Sequence, residues 1–158
     1  MLTGMTPTVL RALREQQFSL CQRWEALLRI EPVNTPLALP DALSHLIPAS
    51  VDQILHELAR PGAAKLTLPA ARKIHVPECG CNRNPYLAHF KAGEQAFLET
   101  LVLLQAEWPA TERRPEDLAD VVRAIRTLAG AEIDTFCGVC THHGETPACR
   151  HYVPVSTL

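Results

Sequence analysis

Two long stretches of helical periodicity occupy residues 85–108 and 115–140, and only six residues join them. In each stretch apolar side chains recur every three or four positions, which is typical of a helix with one face in a core. A connection this short makes two helices antiparallel neighbours. We therefore expect the start of the first helix to meet the end of the second, although more than fifty residues separate them.

Prolines mark the boundaries of the earlier helices, which we predict at residues 6–31 and 41–60. The second of these is expected as two pieces, or as one helix kinked at Pro48, with Ser50 capping the later piece. At 158 residues, 47% apolar and 5% aromatic, the chain is predicted to form one domain. The predicted fold is all-α: a four-to-five-helix bundle spanning 1–158, with an irregular Cys/His-rich tail at 141–158.

Two cysteine pairs flank the long helices. Cys79-Gly-Cys81 precedes the helix at 85–108, and Cys137-Gly-Val-Cys140 ends the helix at 115–140. If the helices are antiparallel, the two pairs lie at the same end of the bundle. Zinc binds four thiolates in a tetrahedron, about 2.3 Å from each sulfur. The sequence therefore predicts one zinc site with the ligands Cys79, Cys81, Cys137 and Cys140.

Other interpretations of these cysteines stay open. Four thiolates also suit an iron–sulfur cluster, and the pairs could act as a metal-free thiol switch. Cys137 and Cys140 could instead be small buried side chains at the end of an apolar stripe. The tail offers further candidate ligands, or simply polar surface residues: His142, His143, Cys149 and His151.

Charge and hydropathy limit the partners. A net charge of −2 argues against nucleic acid as the main partner, because phosphate binding needs a positive excess. Residues 60–91 carry six bases and one acid, whereas residues 92–134 carry nine acids and four bases. This asymmetry is either two solvated faces or a docking surface for a partner protein. We expect a protein partner and leave homo-oligomerisation open.

No apolar run approaches the ~20 residues that span a bilayer, and the N-terminus lacks the pattern of a secretory signal. We therefore expect no membrane association and a cytoplasmic location. Six cysteines in a reducing compartment indicate metal or redox chemistry more than structural disulfides.

The sequence favours a non-enzymatic protein and leaves an enzymatic one open. It contains no His-Glu-x-x-His motif, no Gly-rich phosphate loop and no Gly-x-Ser-x-Gly elbow. A zinc ion with four thiolate ligands has no open position for a substrate. Thiol–disulfide exchange at Cys137 and Cys140 is disfavoured, because the dipole at the end of a helix opposes a thiolate.

Two segments carry resemblances to known proteins. Residues 23–29, Arg-Trp-Glu-Ala-Leu-Leu-Arg, followed by residues 32–52, resemble the opening of the N-terminal sensor-like domains of RsbR-type stress regulators. Residues 79–86, Cys-Gly-Cys-Asn-Arg-Asn-Pro-Tyr, with Gly93-Glu94-Gln95, resemble a set of uncharacterised bacterial helical proteins. The first resemblance implies a helical input module that senses a signal and transmits it through packing.

Together these features predict a non-enzymatic, metal-binding sensory or regulatory domain, with zinc in a four-cysteine site. The alternative is an iron–sulfur or thiol-based protein of redox sensing or electron transfer.

Overall fold

A computed structural model describes residues 5–33, 38–60, 79, 83–140, 144 and 147. All regular secondary structure in these residues is helical, which confirms the predicted all-α bundle. The helices are α1 (Pro7–Glu15), α2 (Gln17–Leu28), α3 (Pro40–Leu43), α4 (Ile47–Ala59), α5 (Pro85–Ala106) and α6 (Pro115–Val139). Within these ranges, none of the helices combines the length and the hydropathy needed to cross a membrane.

The two longest helices, α5 and α6, form the antiparallel pair that the sequence predicts. Each has a proline in its first turn, where the missing N–H costs no helical hydrogen bond. Three polar contacts join the helices in reverse order along the chain, Asn84–Ile133, Glu94–Arg126 and Gln105–Arg114. The start of α5 therefore meets the end of α6, as expected.

The core forms where α2 packs across α5 and α4 packs against α6. Trp24 on α2 has no exposed surface, and its Nε1 donates a hydrogen bond of 2.9 Å to the His89 carbonyl on α5. The indole ring lies directly over Gly93, where a Cβ atom would come within 2.4 Å of Cζ2. Glycine at this position lets the two helices approach closely.

The single helix predicted at 6–31 is wrong, because the chain turns at Gln16 and divides it into α1 and α2. The backbone N–H of Gln16 still bonds to carbonyls of α1, so the turn loses little hydrogen bonding. Leu13 on α1 and Leu20 on α2 are both fully buried, so the same face enters the core on each side of the turn. No proline or glycine occurs at this turn, and hydrophobic periodicity alone does not reveal it.

The helix predicted at 41–60 is divided, but not at the expected place. A 3₁₀ turn at Ser44–Leu46 separates α3 from α4. Pro48 lies in the first turn of α4, where proline is well tolerated, and produces no kink. The prediction that Ser50 caps a helix is wrong. Ser50 lies inside α4, is buried, and pairs with His89 across the core.

Candidate metal centre

The thiols of Cys79 and Cys137 lie in contact at the end of the α5–α6 pair. Cys137 is in the last turn of α6, and Cys79 precedes the first residue of α5 by six positions. The Cys137 thiol points to Cys79 Sγ at 3.6 Å. The two residues are 2% and 8% exposed, so the sulfur pair is shielded from solvent. Two cysteines that are distant in sequence thus share one buried site.

Asn84 connects this thiol pair to both helices. Its side-chain oxygen accepts a hydrogen bond of 3.0 Å from Tyr86 N and thereby caps α5. Its Nδ2 lies 3.2 Å from the Ile133 carbonyl and 3.4 Å from Cys137 Sγ, both on α6. An Asn–Pro pair before an apolar stripe is typical of such a cap. The sequence gives no sign of the contacts to α6, because those depend on packing.

Cys140 lies just outside the helix in which it was predicted. The helix expected at 115–140 ends at Val139, and the Cys140 backbone is extended, with φ −65° and ψ 136°. Its side chain is half-buried. Because Cys140 lies outside the helix, its position relative to Cys137 is not that of residues three apart within one helical turn.

The other predicted ligands, Cys81, His142, His143, Cys149 and His151, lie outside the described residues. Among the residues that the structure describes, no group of three or more His, Cys, Asp or Glu side chains converges. The structure therefore brings together two of the predicted ligands, Cys79 and Cys137. These two sulfurs could hold part of the coordination sphere of a metal ion.

An aromatic cluster lies between the thiol pair and the core. The Tyr86 ring lies 6.1 Å from Phe136, the neighbour of Cys137, and 6.2 Å from His89. His89 in turn lies 4.8 Å from Trp24. These edge-to-face and tilted contacts are favourable geometries for aromatic pairs.

His89 is a buried polar residue that sequence reasoning did not assign to the core. It has no exposed surface, and its Nε2 lies 3.1 Å from Ser50 Oγ. Burial lowers the pKa of His89 from 6.5 to about 4, so the ring is neutral at pH 7. An alternation of apolar and polar residues cannot reveal such a pair, because each partner lies on a different helix.

The carboxylates on α5 serve as ion-pair partners. Arg126 forms two hydrogen bonds of 2.8 Å with Glu94, and Arg23 pairs with Glu99 at 2.6 Å. Hydrogen bonding from Arg23, and then from Gln95, lowers the pKa of Glu99. The two ion pairs therefore connect α5 to α6 and to α2.

The fold and the thiol pair define a helical bundle with a buried cysteine pair at one end of its longest helices. No family model, no curated protein and no solved structure matches the chain.

Proposed function

We propose that this chain is a non-enzymatic, metal-binding regulatory domain that holds zinc at the end of α5 and α6. The observation that carries the proposal is the distance of 3.6 Å between Cys79 Sγ and Cys137 Sγ. Two sulfurs bound about 2.3 Å from one zinc ion at tetrahedral angles lie about 3.8 Å apart. A disulfide would require about 2.05 Å. The observed separation is close to that of two ligands of one metal ion, and this closeness supports the proposal.

The proposed coordination sphere is completed by Cys81 and Cys140. Cys81 follows Cys79 by two residues, and Cys140 follows Cys137 by three, so each is close in sequence to a sulfur already in the site. The tail residues His142, His143, Cys149 and His151 are the alternative source of a ligand. With four protein ligands the metal has no position for a substrate, which is the pattern of a structural or regulatory site.

The regulatory part of the proposal follows from the position of the thiol pair. Cys79 and Cys137 join the segment before α5 to the last turn of α6. Metal uptake or loss would change the contact between the two longest helices of the bundle. That is the kind of helical input module implied by the resemblance to the sensor-like domains, and it would act through a partner protein.

A thiol-based redox protein is the second candidate, and the same short distance favours it. Closing the 3.6 Å gap between Cys79 and Cys137 would form a disulfide. In exchange with glutathione disulfide, the two thiols would give up two electrons and two protons, and two glutathione thiols would form. An iron–sulfur cluster on the same cysteines belongs to this candidate as well.

Metal analysis of protein purified without oxygen tests these candidates. We expect a colourless protein with one zinc per chain, and we expect Cys79→Ser and Cys137→Ser to lose the zinc and melt at lower temperature. The matched control is Cys21→Ser, because Cys21 lines a separate surface groove with Phe18 and Pro48. Retention of zinc in both site variants would contradict the proposal. Brown iron-containing protein, or metal-free protein with a Cys79–Cys137 disulfide, would favour the second candidate.

A further inference from the structure

The orientation of the Asn84 carboxamide is fixed by its partners. A backbone N–H can only donate, so the oxygen of the carboxamide must face Tyr86 N, 3.0 Å away. The amide nitrogen consequently faces α6, where the Ile133 carbonyl lies at 3.2 Å. A carbonyl can only accept, which gives the same orientation independently. Asn84 itself is 3% exposed, so the protein holds this arrangement away from water.

The two hydrogens of the amide nitrogen have two acceptors. One is the Ile133 carbonyl, and the other is Cys137 Sγ at 3.4 Å, a normal length for a hydrogen bond to sulfur. A thiolate is a stronger acceptor than a thiol, because it is charged. A metal-bound thiolate at this position would therefore accept the bond from Asn84 more strongly than a thiol.

We propose that Asn84 is the positioning residue of the metal centre: it directs Cys137 Sγ toward Cys79 and donates a hydrogen bond to the metal-bound thiolate. This inference rests on the proposed function. The side chain is held at one backbone point on each helix, Tyr86 N and the Ile133 carbonyl, so its distance to Cys137 is set by the helix pair. Partners of this kind orient metal ligands, and their loss typically lowers metal affinity 10- to 100-fold.

This arrangement also couples the metal to the first turn of α5. One carboxamide caps α5 through its oxygen and contacts the thiol through its nitrogen. Metal binding at Cys137 thereby strengthens an interaction that holds the helix start in place.

Cobalt binding to two variants tests the role of Asn84. Cobalt(II) replaces zinc in thiolate sites and reports the sulfurs through a charge-transfer band. Asn84→Ser keeps a side-chain oxygen that can cap α5, whereas Asn84→Ala removes it. Both variants remove the carboxamide nitrogen that donates to Cys137. We expect both to lose roughly 10-fold or more in cobalt affinity, and the charge-transfer band of both to move to longer wavelength. Only Asn84→Ala should show the additional loss of Tm from the missing cap.

Each outcome of this experiment decides one claim. If Asn84→Ser binds cobalt with the affinity and spectrum of the wild-type chain, Asn84 has no positioning role and the metal centre stands. If the loss of cobalt affinity parallels the loss of Tm, and both are large in Asn84→Ala and small in Asn84→Ser, then Asn84 acts only as a helix cap. If the wild-type chain takes up no cobalt, the metal centre itself is overturned, and the role of Asn84 falls with it.

Discussion

His89 gives the bundle a stability that depends on pH. The pKa of His89 is lowered by burial from 6.5 to about 4, so the unfolded chain binds a proton between these values that the folded chain does not. The stability supplied by neutral His89 is complete above pH 6.5 and is lost as the pH falls toward 4. At pH 5 the expected loss is about 2 kcal/mol.

The matched variant for this prediction is His89→Leu with Ser50→Ala, which removes both partners of the buried hydrogen bond together. Urea unfolding of both proteins at pH 7 and pH 5 gives the difference. If zinc is bound as proposed, its release by acid would be common to the two chains and would cancel. An equal loss of stability in wild-type and variant chains would show that His89 does not carry the effect.

Gly93 is required by the packing of α2 on α5. A Cβ atom there would lie 2.4 Å from Cζ2 of Trp24, and Trp24 is fully buried and cannot move aside. We expect Gly93→Ala to lower the free energy of unfolding by about 1–3 kcal/mol through overpacking. The control is Gly130→Ala on α6, where, among the described residues, no atom outside the adjoining part of the helix itself lies within 4 Å of the new Cβ. That change should stabilise the chain by about 0.5–1 kcal/mol. Urea unfolding measures both, and equal effects would contradict the packing argument.

At the scale of single helices, the first turn of α6 contains a buried acid. Asp117 has no exposed surface, and neither carboxylate oxygen has a hydrogen-bond partner in the described part of the chain. Burial raises the pKa of Asp117, and Arg114 partly opposes this effect. Because the pKa of Asp117 is higher in the folded chain than in the unfolded chain, ionisation of Asp117 lowers the stability of the fold. The stability of the chain with neutral Asp117 is fully present below pH 3.8 and is lost as the pH rises through the folded pKa.

We therefore expect Asp117→Asn to raise Tm at pH 7, by about 2–4 °C for a gain near 1 kcal/mol. The gain should shrink as the pH is lowered toward 3.8. Glu116→Gln is the control. Glu116 is an exposed acid in the same helical turn, where the helix dipole stabilises a negative charge without any cost of burial. A lower Tm of Asp117→Asn at pH 7 would mean that the dipole outweighs the cost of burial. Thermal unfolding followed by circular dichroism measures all of these values.

Helix boundaries were predictable where the sequence carries a local signal and not elsewhere. Pro85 and Pro115 mark the starts of α5 and α6, and the observed starts agree. The turn at Gln16 has no such residue, because it arises from packing of α1 and α2 on the same core. The spacing of Ser50 to Gln53 is typical of a helix cap, but the Ser50 hydroxyl instead forms a buried hydrogen bond with His89. Local patterns cannot include a partner that lies 39 residues away.

At the scale of the whole molecule, the meeting of Cys79 and Cys137 was predictable from helix lengths alone. Two helices of 22 and 25 residues with a short connection place their far ends together. The donors to Cys137 were not predictable, because they depend on the rotation of α6 about its axis. That rotation is set by side-chain packing along the full length of the pair. The sequence thus indicated which segments meet, and the packing determines which atoms touch.

The antiparallel pair has a thiol end, at Asn84 and Cys137, and a connecting end, at Gln105 and Arg114. A metal ion at the thiol end should suppress local opening there, whereas the connecting end is held by the chain itself. If the proposed zinc site exists, removal of zinc by a chelator should increase amide hydrogen exchange in residues 84–92 and 130–140 and leave residues 98–122 unchanged. Hydrogen-exchange mass spectrometry of zinc-loaded and chelated protein measures this, and the connecting end is the internal control. Equal increases at both ends would mean that the metal stabilises the bundle as a unit, and no increase at the thiol end would place the metal elsewhere.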